Sequence, residues 1–137
     1  MPFWKRRPKE LGPPEHGPDF SQIDSREKAQ KLVEEGVLEP LYLMPLSFGG
    51  VESPVNVVYV PIGFAQVKDG IDQNVIAPLV KDGSVSHYTA NPEYRGSSFV
   101  PMAIQIEAKD PGSFTMCLAI WGEALEREDA VTNQDTN

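Results

Sequence analysis

Residues 102–120 read Met-Ala-Ile-Gln-Ile-Glu-Ala-Lys-Asp-Pro-Gly-Ser-Phe-Thr-Met-Cys-Leu-Ala-Ile. Large apolar side chains alternate with smaller or polar ones along both halves of this stretch: Met102, Ile104 and Ile106, then Phe114, Met116, Leu118 and Ile120. Such alternation is typical of a strand that buries one face. Asp110-Pro111-Gly112, between the two halves, is a strong turn signal. The stretch therefore predicts a β-hairpin.

A helix is predicted in the first third of the chain. Asp24 is placed as its N-cap, and Glu27 completes a capping box with it. Ala29, Leu32 and Val33 then lie on one face of the helix. Gly36 ends it, because glycine readily adopts the left-handed conformation that closes a helix.

A second helix is predicted between Ile62 and Lys81. Apolar residues recur there at intervals of three and four: Phe64, Val67, Ile71, Val75 and Leu79. Lys68, Asp69 and Asp72 lie between the apolar positions, so the pattern is that of an amphipathic helix that covers one face of a sheet. Pro78 should bend this helix or end it.

Extended segments complete the predicted fold. Residues 37–43, 55–60, 84–90 and 98–108 are rich in β-branched, aromatic or alternating apolar residues, and the hairpin adds a returning strand. The order is helix, two strands, helix and three antiparallel strands. It predicts an α+β domain in which a mainly antiparallel sheet of about five strands carries two packed helices.

Composition divides the chain into a folded centre and two flexible ends. Residues 1–19 form a leader, in which five prolines fall within the first 18 residues and too little apolar surface is present to offset the entropy of ordering. Residues 20–122 contain the predicted elements and form one domain. Residues 123–137 form an acidic tail that lacks a strong helix or strand pattern, and we expect it to be flexible.

Net charge restricts the classes of partner. The chain has 12 Lys and Arg against 20 Asp and Glu, a net charge of −8. No nucleic-acid partner is expected, because such binding relies on neutralising phosphates, and a basic protein partner suits the chain better. No apolar run approaches the roughly 20 residues of a membrane helix. Together with a single cysteine, Cys117, these features predict a soluble cytoplasmic protein without a membrane partner.

The sequence displays no active site. Two histidines, His16 and His87, are too few for a multi-histidine zinc site, and one cysteine excludes a multi-cysteine site. No nucleophile elbow and no phosphate-binding loop are present. We therefore expect no catalytic residues, no cofactor and no metal.

Several segments carry a resemblance to a known family. Residues 41–50 read Leu-Tyr-Leu-Met-Pro-Leu-Ser-Phe-Gly-Gly and are followed by Asn56 and by Val60-Pro61. Residues 81–85 read Lys-Asp-Gly-Ser-Val, and residues 92–101 read Pro-Glu-Tyr-Arg-Gly-Ser-Ser-Phe-Val-Pro. Across residues 41–121 the chain resembles the DNA/RNA non-specific endonuclease domains of bacterial polymorphic toxins. In that family a histidine shortly before Phe-Gly-Gly is the general base, and an asparagine after it helps to hold the catalytic metal.

The chain departs from this family at the catalytic positions. Tyr42 stands where the histidine is expected, and Glu39-Pro40-Leu41 stands where the family has Asp-Arg-Gly, whereas Asn56 matches the asparagine. A tyrosine with a pKa of about 10 is a poor base for activating water at neutral pH. The resemblance therefore implies a catalytically silent member.

Three functions are compatible with these features. The first is a non-catalytic cytoplasmic binding protein, similar to the immunity proteins that neutralise bacterial toxins by covering a basic face. The second is a metal-dependent nuclease of the toxin type, with an altered catalytic base and a metal at Asn56. The third is an accessory domain that has no connection to a toxin.

Segment 87–101 is the predicted partner-binding region. Side chains that are frequent in protein interfaces are concentrated there: His87, Tyr88, Glu93, Tyr94, Arg95 and Phe99. In the alternative interpretation, Tyr94 and Phe99 attach the loop to the sheet, while Tyr88 points away from His87 and packs in the core. The sequence leaves both interpretations open.

Overall fold

Six strands and two helical regions follow one another along the described chain. The computed structural model describes residues 18–133. Its elements, in chain order, are α1 (Arg26–Glu34), β1 (Leu38–Tyr42), β2 (Val57–Pro61), α2 (Phe64–Ile71), a π-helical segment (Asp72–Ile76), α3 (Ala77–Lys81), β3 (His87–Glu93), β4 (Ala103–Lys109), β5 (Ser113–Ala119) and β6 (Ala130–Val131). The α+β class predicted from the sequence is confirmed.

The predicted hairpin lies in a four-stranded sheet with the order β3-β4-β5-β6. Its register places Ile104 opposite Leu118 and Ile106 opposite Met116, as the alternation predicts. Strand β3 is antiparallel to β4, and β6 is parallel to β5. Strands β1 and β2 form a separate antiparallel pair, so the strands are divided between two sheets instead of one. Pro40 in β1 has no N–H to donate to a further strand, which suits an edge position.

Helix α1 begins one residue later than predicted. Ser25 is the N-cap, and its hydroxyl accepts a hydrogen bond from the Lys28 amide at 3.2 Å. The prediction of Asp24 as the cap is wrong, because Asp24 instead forms an ion pair with the Lys28 ammonium at 2.8 Å. Gly36, with φ of +79°, follows the C-cap and ends the helix as predicted.

The long helical region runs continuously through α2, the π-helical segment and α3. A side chain from β1 caps its start, since Glu39 Oε2 accepts hydrogen bonds from the amides of Gly63 at 2.8 Å and Ala65 at 3.2 Å. Just before Pro78, the Ala77 amide reaches the carbonyl of Asp72, five residues back. The wider π turn accommodates a proline, which supplies no N–H and crowds the preceding turn. Between residues 18 and 133, no helix has the length and apolar character needed to cross a membrane.

The core is formed by both sheets and both helical regions. Ile104 and Leu118 of the hairpin are 0% exposed. Trp121 follows β5 and is 1% exposed, and its indole Nε1 donates to the Val100 carbonyl at 3.0 Å. The ring of Phe20 meets the Trp121 ring edge to face at 5.9 Å between centroids. The folded unit therefore includes the first residue of the predicted domain.

The C-terminal segment packs on the second face of the hairpin. The prediction of a flexible tail over residues 123–137 is wrong for residues 123–131, because Gly122–Glu126 forms a 3-10 helix and β6 pairs with β5. The C-terminal segment approaches the hairpin closely because the side chains between them are small. They form a separate buried cluster that consists of Ala103, Cys117, Ala119 and Ala124. Residues 134–137 of that tail, and residues 1–17 of the predicted leader, lie outside the described residues.

Burial of the hairpin predicts which substitutions lower stability. Ile104→Ala or Leu118→Ala should reduce the free energy of unfolding by about 2 to 5 kcal/mol, because each leaves a cavity in the core. Thr115→Ala is the control at an exposed position of β5 and should change it by less than about 0.5 kcal/mol. Urea denaturation measures the free energy of unfolding of all three variants. Equal losses in the core variants and in the control would contradict the register of the hairpin.

Candidate functional site

The six residues predicted to bind a partner do not form one site. His87 and Tyr88 point to opposite sides of β3. His87 is exposed near the hairpin turn, where its Nδ1 lies 3.2 Å from the Asp110 carboxylate. Tyr88 points inward and is half-buried, as the alternative interpretation of the sequence predicts.

Glu93 and Arg95 connect β3 and the following loop to the C-terminal segment. Arg127 NH1 lies 2.8 Å from Glu93 Oε1 and forms an ion pair with it. Arg95 NH1 lies 3.4 Å from Glu123 Oε1, and the Arg95 guanidinium carbon is 5.8 Å from the centroid of the Trp121 ring. Charge reversal at Glu93 would therefore break a contact within the protein itself.

Tyr94 and Phe99 come together with an arginine from outside the predicted partner-binding segment. The guanidinium carbon of Arg26, in the first turn of α1, lies 5.9 Å from the Phe99 ring centroid and 6.0 Å from the Tyr59 ring centroid. Its NH1 is 3.4 Å from the Tyr59 hydroxyl. We call Arg26, Val55, Tyr59, Tyr94 and Phe99, which line a cleft of about 140 Å³, the Arg26 surface.

The Arg26 surface combines apolar exposure with a cation that no carboxylate among the described residues pairs with. Val55 is 85% exposed and Tyr94 is 46% exposed. Partial burial raises the pKa of Tyr94, so its phenol stays protonated at neutral pH. No carboxylate within residues 18–133 forms an ion pair with Arg26. A guanidinium held against aromatic rings keeps its planar set of N–H donors available for an acceptor on another molecule.

Asn56 holds the loop that carries Val55. Its Oδ1 accepts from the Met44 amide at 2.8 Å, and its Nδ2 donates to the carbonyls of Met44 and Val51, both at 3.0 Å. Gly50 packs against the same groups, since a Cβ there would collide with the Met44 carbonyl. The Asn56 amide, the metal-binding position in the nuclease interpretation, is thus engaged in hydrogen bonds with the backbone of its own loop.

Tyr42, at the position of the nuclease base, also has an intramolecular partner. Its hydroxyl donates to Glu52 Oε2 at 3.2 Å. Desolvation, and to a smaller extent the Glu52 charge, raises the pKa of the Tyr42 phenol. This lowers the fraction of phenolate, which is the form able to accept a proton. Within the part of the chain that the structure describes, no group of three His, Cys, Asp or Glu residues could hold a metal ion.

A buried polar network connects the long helical region to β3. Lys68 Nζ donates to Asp72 Oδ2 at 2.6 Å and to the Tyr88 hydroxyl at 2.9 Å, and that hydroxyl donates to Asp72 Oδ1 at 2.8 Å. Lys68 and Asp72 are each 2% exposed. Each of the three groups contacts the other two, and such additional hydrogen bonds are what a buried ion pair needs to offset its desolvation.

Burial shifts two pKa values within this network. It lowers the pKa of the Lys68 ammonium, although the nearby Asp72 carboxylate acts in the opposite direction. It raises the pKa of the Tyr88 phenol, and the negative charge of Asp72 raises it further. Lys68 and Asp72 also line a pocket of about 340 Å³ together with Tyr42 and Ser47. The network is therefore a second candidate site.

This network does not follow from the apolar spacing, because the buried face of the helix differs from the predicted one. The buried residues of α2 and the π-helical segment are Phe64, Lys68, Ile71, Asp72 and Ile76. Val75, predicted to face inward, is 38% exposed, since the π turn inserts one residue and rotates those that follow. The four-residue spacing from Phe64 to Lys68 to Asp72 is the signal that could have found the pair.

Comparisons with known proteins identify no relative of this chain. No family model matches the sequence, and no curated protein or solved structure is significantly similar to it. The resemblance to toxin endonucleases therefore stays a prediction.

The buried network predicts a specific pattern of stability losses. Lys68→Met should lower the free energy of unfolding by about 3 to 5 kcal/mol, because it leaves the Asp72 carboxylate buried without its cation. Lys68→Met combined with Asp72→Leu should recover part of this loss, since an apolar pair carries no desolvation cost, while the Tyr88 hydroxyl keeps the Leu43 carbonyl, at 3.4 Å, as its remaining described partner. Chemical denaturation measures both, and equal stability of the single and double variants would contradict the coupling.

The raised pKa of Tyr88 predicts that the free energy of unfolding depends on pH in the alkaline range. Its pKa is raised in the folded state from an ordinary value of 10.0, so the unfolded chain releases the phenolic proton first. The stabilisation is complete below pH 10 and is lost progressively as the pH rises from there to the folded-state pKa. Between pH 9 and pH 11, the free energy of unfolding should therefore fall more steeply in the wild type than in Tyr88→Phe. Parallel curves for the two proteins would contradict the assignment.

Proposed function

We propose that this protein is a non-catalytic cytoplasmic binding protein that recognises a protein partner through the Arg26 surface. One observation carries the proposal. The Arg26 guanidinium lies against the rings of Tyr59 and Phe99, beside the exposed Val55 and Tyr94, and has no carboxylate partner among the described residues. Arginine and tyrosine are enriched among the few residues that dominate binding energy in protein interfaces.

The rigidity of the Arg26 surface favours binding. Association costs free energy for every side chain that must be ordered, and a side chain that is already held in place avoids part of that cost. The aromatic contacts restrain Arg26, and the hydrogen bonds of Asn56 restrain the loop before Val55. Tyr94 adds a large rigid ring with only two side-chain torsions. The surface is thus preorganised for contact.

The charge of the chain indicates the kind of partner. A net charge of −8 attracts a basic protein and raises the rate of encounter with it. We infer that the partner is a basic toxin domain and that this protein acts as its immunity protein. Within such a complex, Arg26 would donate to a carboxylate or carbonyl of the toxin, while Val55 and Tyr94 would supply apolar contact.

The alternative functions have weaker support. A metal-dependent nuclease would need Asn56 for its metal and Tyr42 as its base, yet both side chains have intramolecular hydrogen-bond partners. An accessory domain without a toxin partner is compatible with the same geometry. The binding experiment separates it from the proposed function.

The binding experiment uses the toxin domain encoded nearest to the gene of this protein, if there is one. Tyr94→Ala and Arg26→Met should each weaken the complex by about 30-fold or more, the effect of losing roughly 2 kcal/mol at the centre of an interface. Thr115→Ala, on β5, is the control and should leave the affinity within twofold. Titration calorimetry measures all of these. No association at micromolar concentration, or equal affinity for all variants, would contradict the proposal.

A cleavage assay tests the nuclease alternative. The protein, incubated at low salt with Mg²⁺ or Mn²⁺ and with plasmid DNA or single-stranded RNA, should cleave neither above a metal-free control. Low salt is the stringent condition because it favours nucleic-acid binding. Cleavage that is lost in Asn56→Ala would favour the nuclease, provided that the variant keeps the circular dichroism spectrum of the wild type.

A further inference from the structure

We propose that a groove between the long helical region and the C-terminal edge of the larger sheet binds a small uncharged organic molecule. The groove has a volume of about 660 Å³ and runs along α2 and the π-helical segment, opposite Met116 of β5 and Val131 of β6. This volume lies within the range of about 300 to 1,000 Å³ that is typical of small-molecule sites. We call it the neutral groove.

The chemistry of the lining specifies the class of ligand. The ten described residues that line the neutral groove are all uncharged, although 23% of the chain is charged. A charged ligand would lose hydration without gaining a counterion there. Val67, Val75 and Met116 are only partly buried or exposed and offer apolar contact. The ligand is therefore expected to have an uncharged apolar body.

Two amides at the groove provide polar recognition. Gln66 and Asn74 lie on the exposed side of the helical region, and no described residue forms a hydrogen bond with either side-chain amide. A side-chain amide both donates and accepts, so it pairs well with a carboxamide or hydroxyl group. A mostly apolar lining with a few polar groups is the usual composition of a ligand site.

Gly70 supplies an independent observation. It lies inside α2, where glycine is less favourable than alanine, and it lines the neutral groove. Packing does not require it, because a Cβ at this position would meet only the Asn74 Nδ2 atom, at 4.0 Å. Its φ is not positive, so the backbone does not require glycine either. What the missing side chain provides is open space at the wall of the groove.

The experiment uses three probes of equal size and different charge: benzamide, benzoate and benzamidine. Each is titrated into the full chain while the amide and methyl resonances of Val67, Gly70 and Met116 are followed by NMR. Benzamide should produce saturable shifts with a Kd of about 1 mM, as expected for a fragment of this size. Benzoate and benzamidine should bind at least fivefold more weakly.

Variants at Gly70 separate ligand binding from folding. Gly70→Ala should raise the Tm by about 2 to 5 °C, because alanine favours the helix, and yet weaken benzamide binding at least twofold. Gly70→Leu should abolish the benzamide shifts. Asp69→Asn, at the neighbouring exposed position outside the groove, is the control and should leave benzamide binding unchanged.

Five results would overturn the proposal. Equal affinity for the three probes, or no shifts at all, would mean that the groove does not select an uncharged molecule. A lower Tm in Gly70→Ala would mean that the fold requires the glycine. Benzamide binding that survives in Gly70→Leu would place the probe elsewhere. Shifts of the same resonances on dilution without any probe would assign the groove to a second copy of the chain.

Discussion

The hydrogen bonds among Lys68, Asp72 and Tyr88 connect parts of the molecule that are distant in sequence. Lys68 and Asp72 belong to the long helical region, and Tyr88 belongs to β3. The Tyr88 hydroxyl also lies 3.4 Å from the carbonyl of Leu43, just after β1. Removing two charges from water costs several kcal/mol, so the network is favourable only when all three groups are in place. The position of the helix is thereby coupled to the positions of both sheets.

The two faces of the hairpin are unlike, and this difference organises the layers around it. Ile104 and Leu118 point into the main core, whereas Ala103 and Ala119 point to the other side. Small side chains let a 3-10 helix and a two-residue strand approach the sheet closely, where larger ones would hold them away. The ion pair of Arg127 with Glu93 adds a contact between this segment and β3. The fold therefore extends beyond Trp121.

The Arg26 surface and the neutral groove are each assembled from separate segments. Arg26 comes from α1, Val55 from the loop before β2, and Tyr94 and Phe99 from the segment after β3. The neutral groove combines the long helical region with β5 and β6. Of the residues of the Arg26 surface, the sequence indicated only Tyr94 and Phe99, because aromatic residues are frequent in protein interfaces. Arg26 could not be selected, since a single arginine in a helix is ordinarily a solvated charge.

The positions of the local elements and the net charge follow from the sequence alone. Alternation around Asp110-Pro111-Gly112 specified the hairpin and its buried face, because alternation records which side of a strand is buried. The spacing of apolar residues specified where both helical regions lie, but the buried face of the long one includes Lys68 and Asp72 and leaves Val75 exposed. Tertiary structure alone decided that the strands form two sheets, that Lys68 is buried and that residues 123–131 dock on the hairpin. Whether a polar or weakly patterned residue is buried depends on the element that lies across from it, and a single chain segment carries no record of that element.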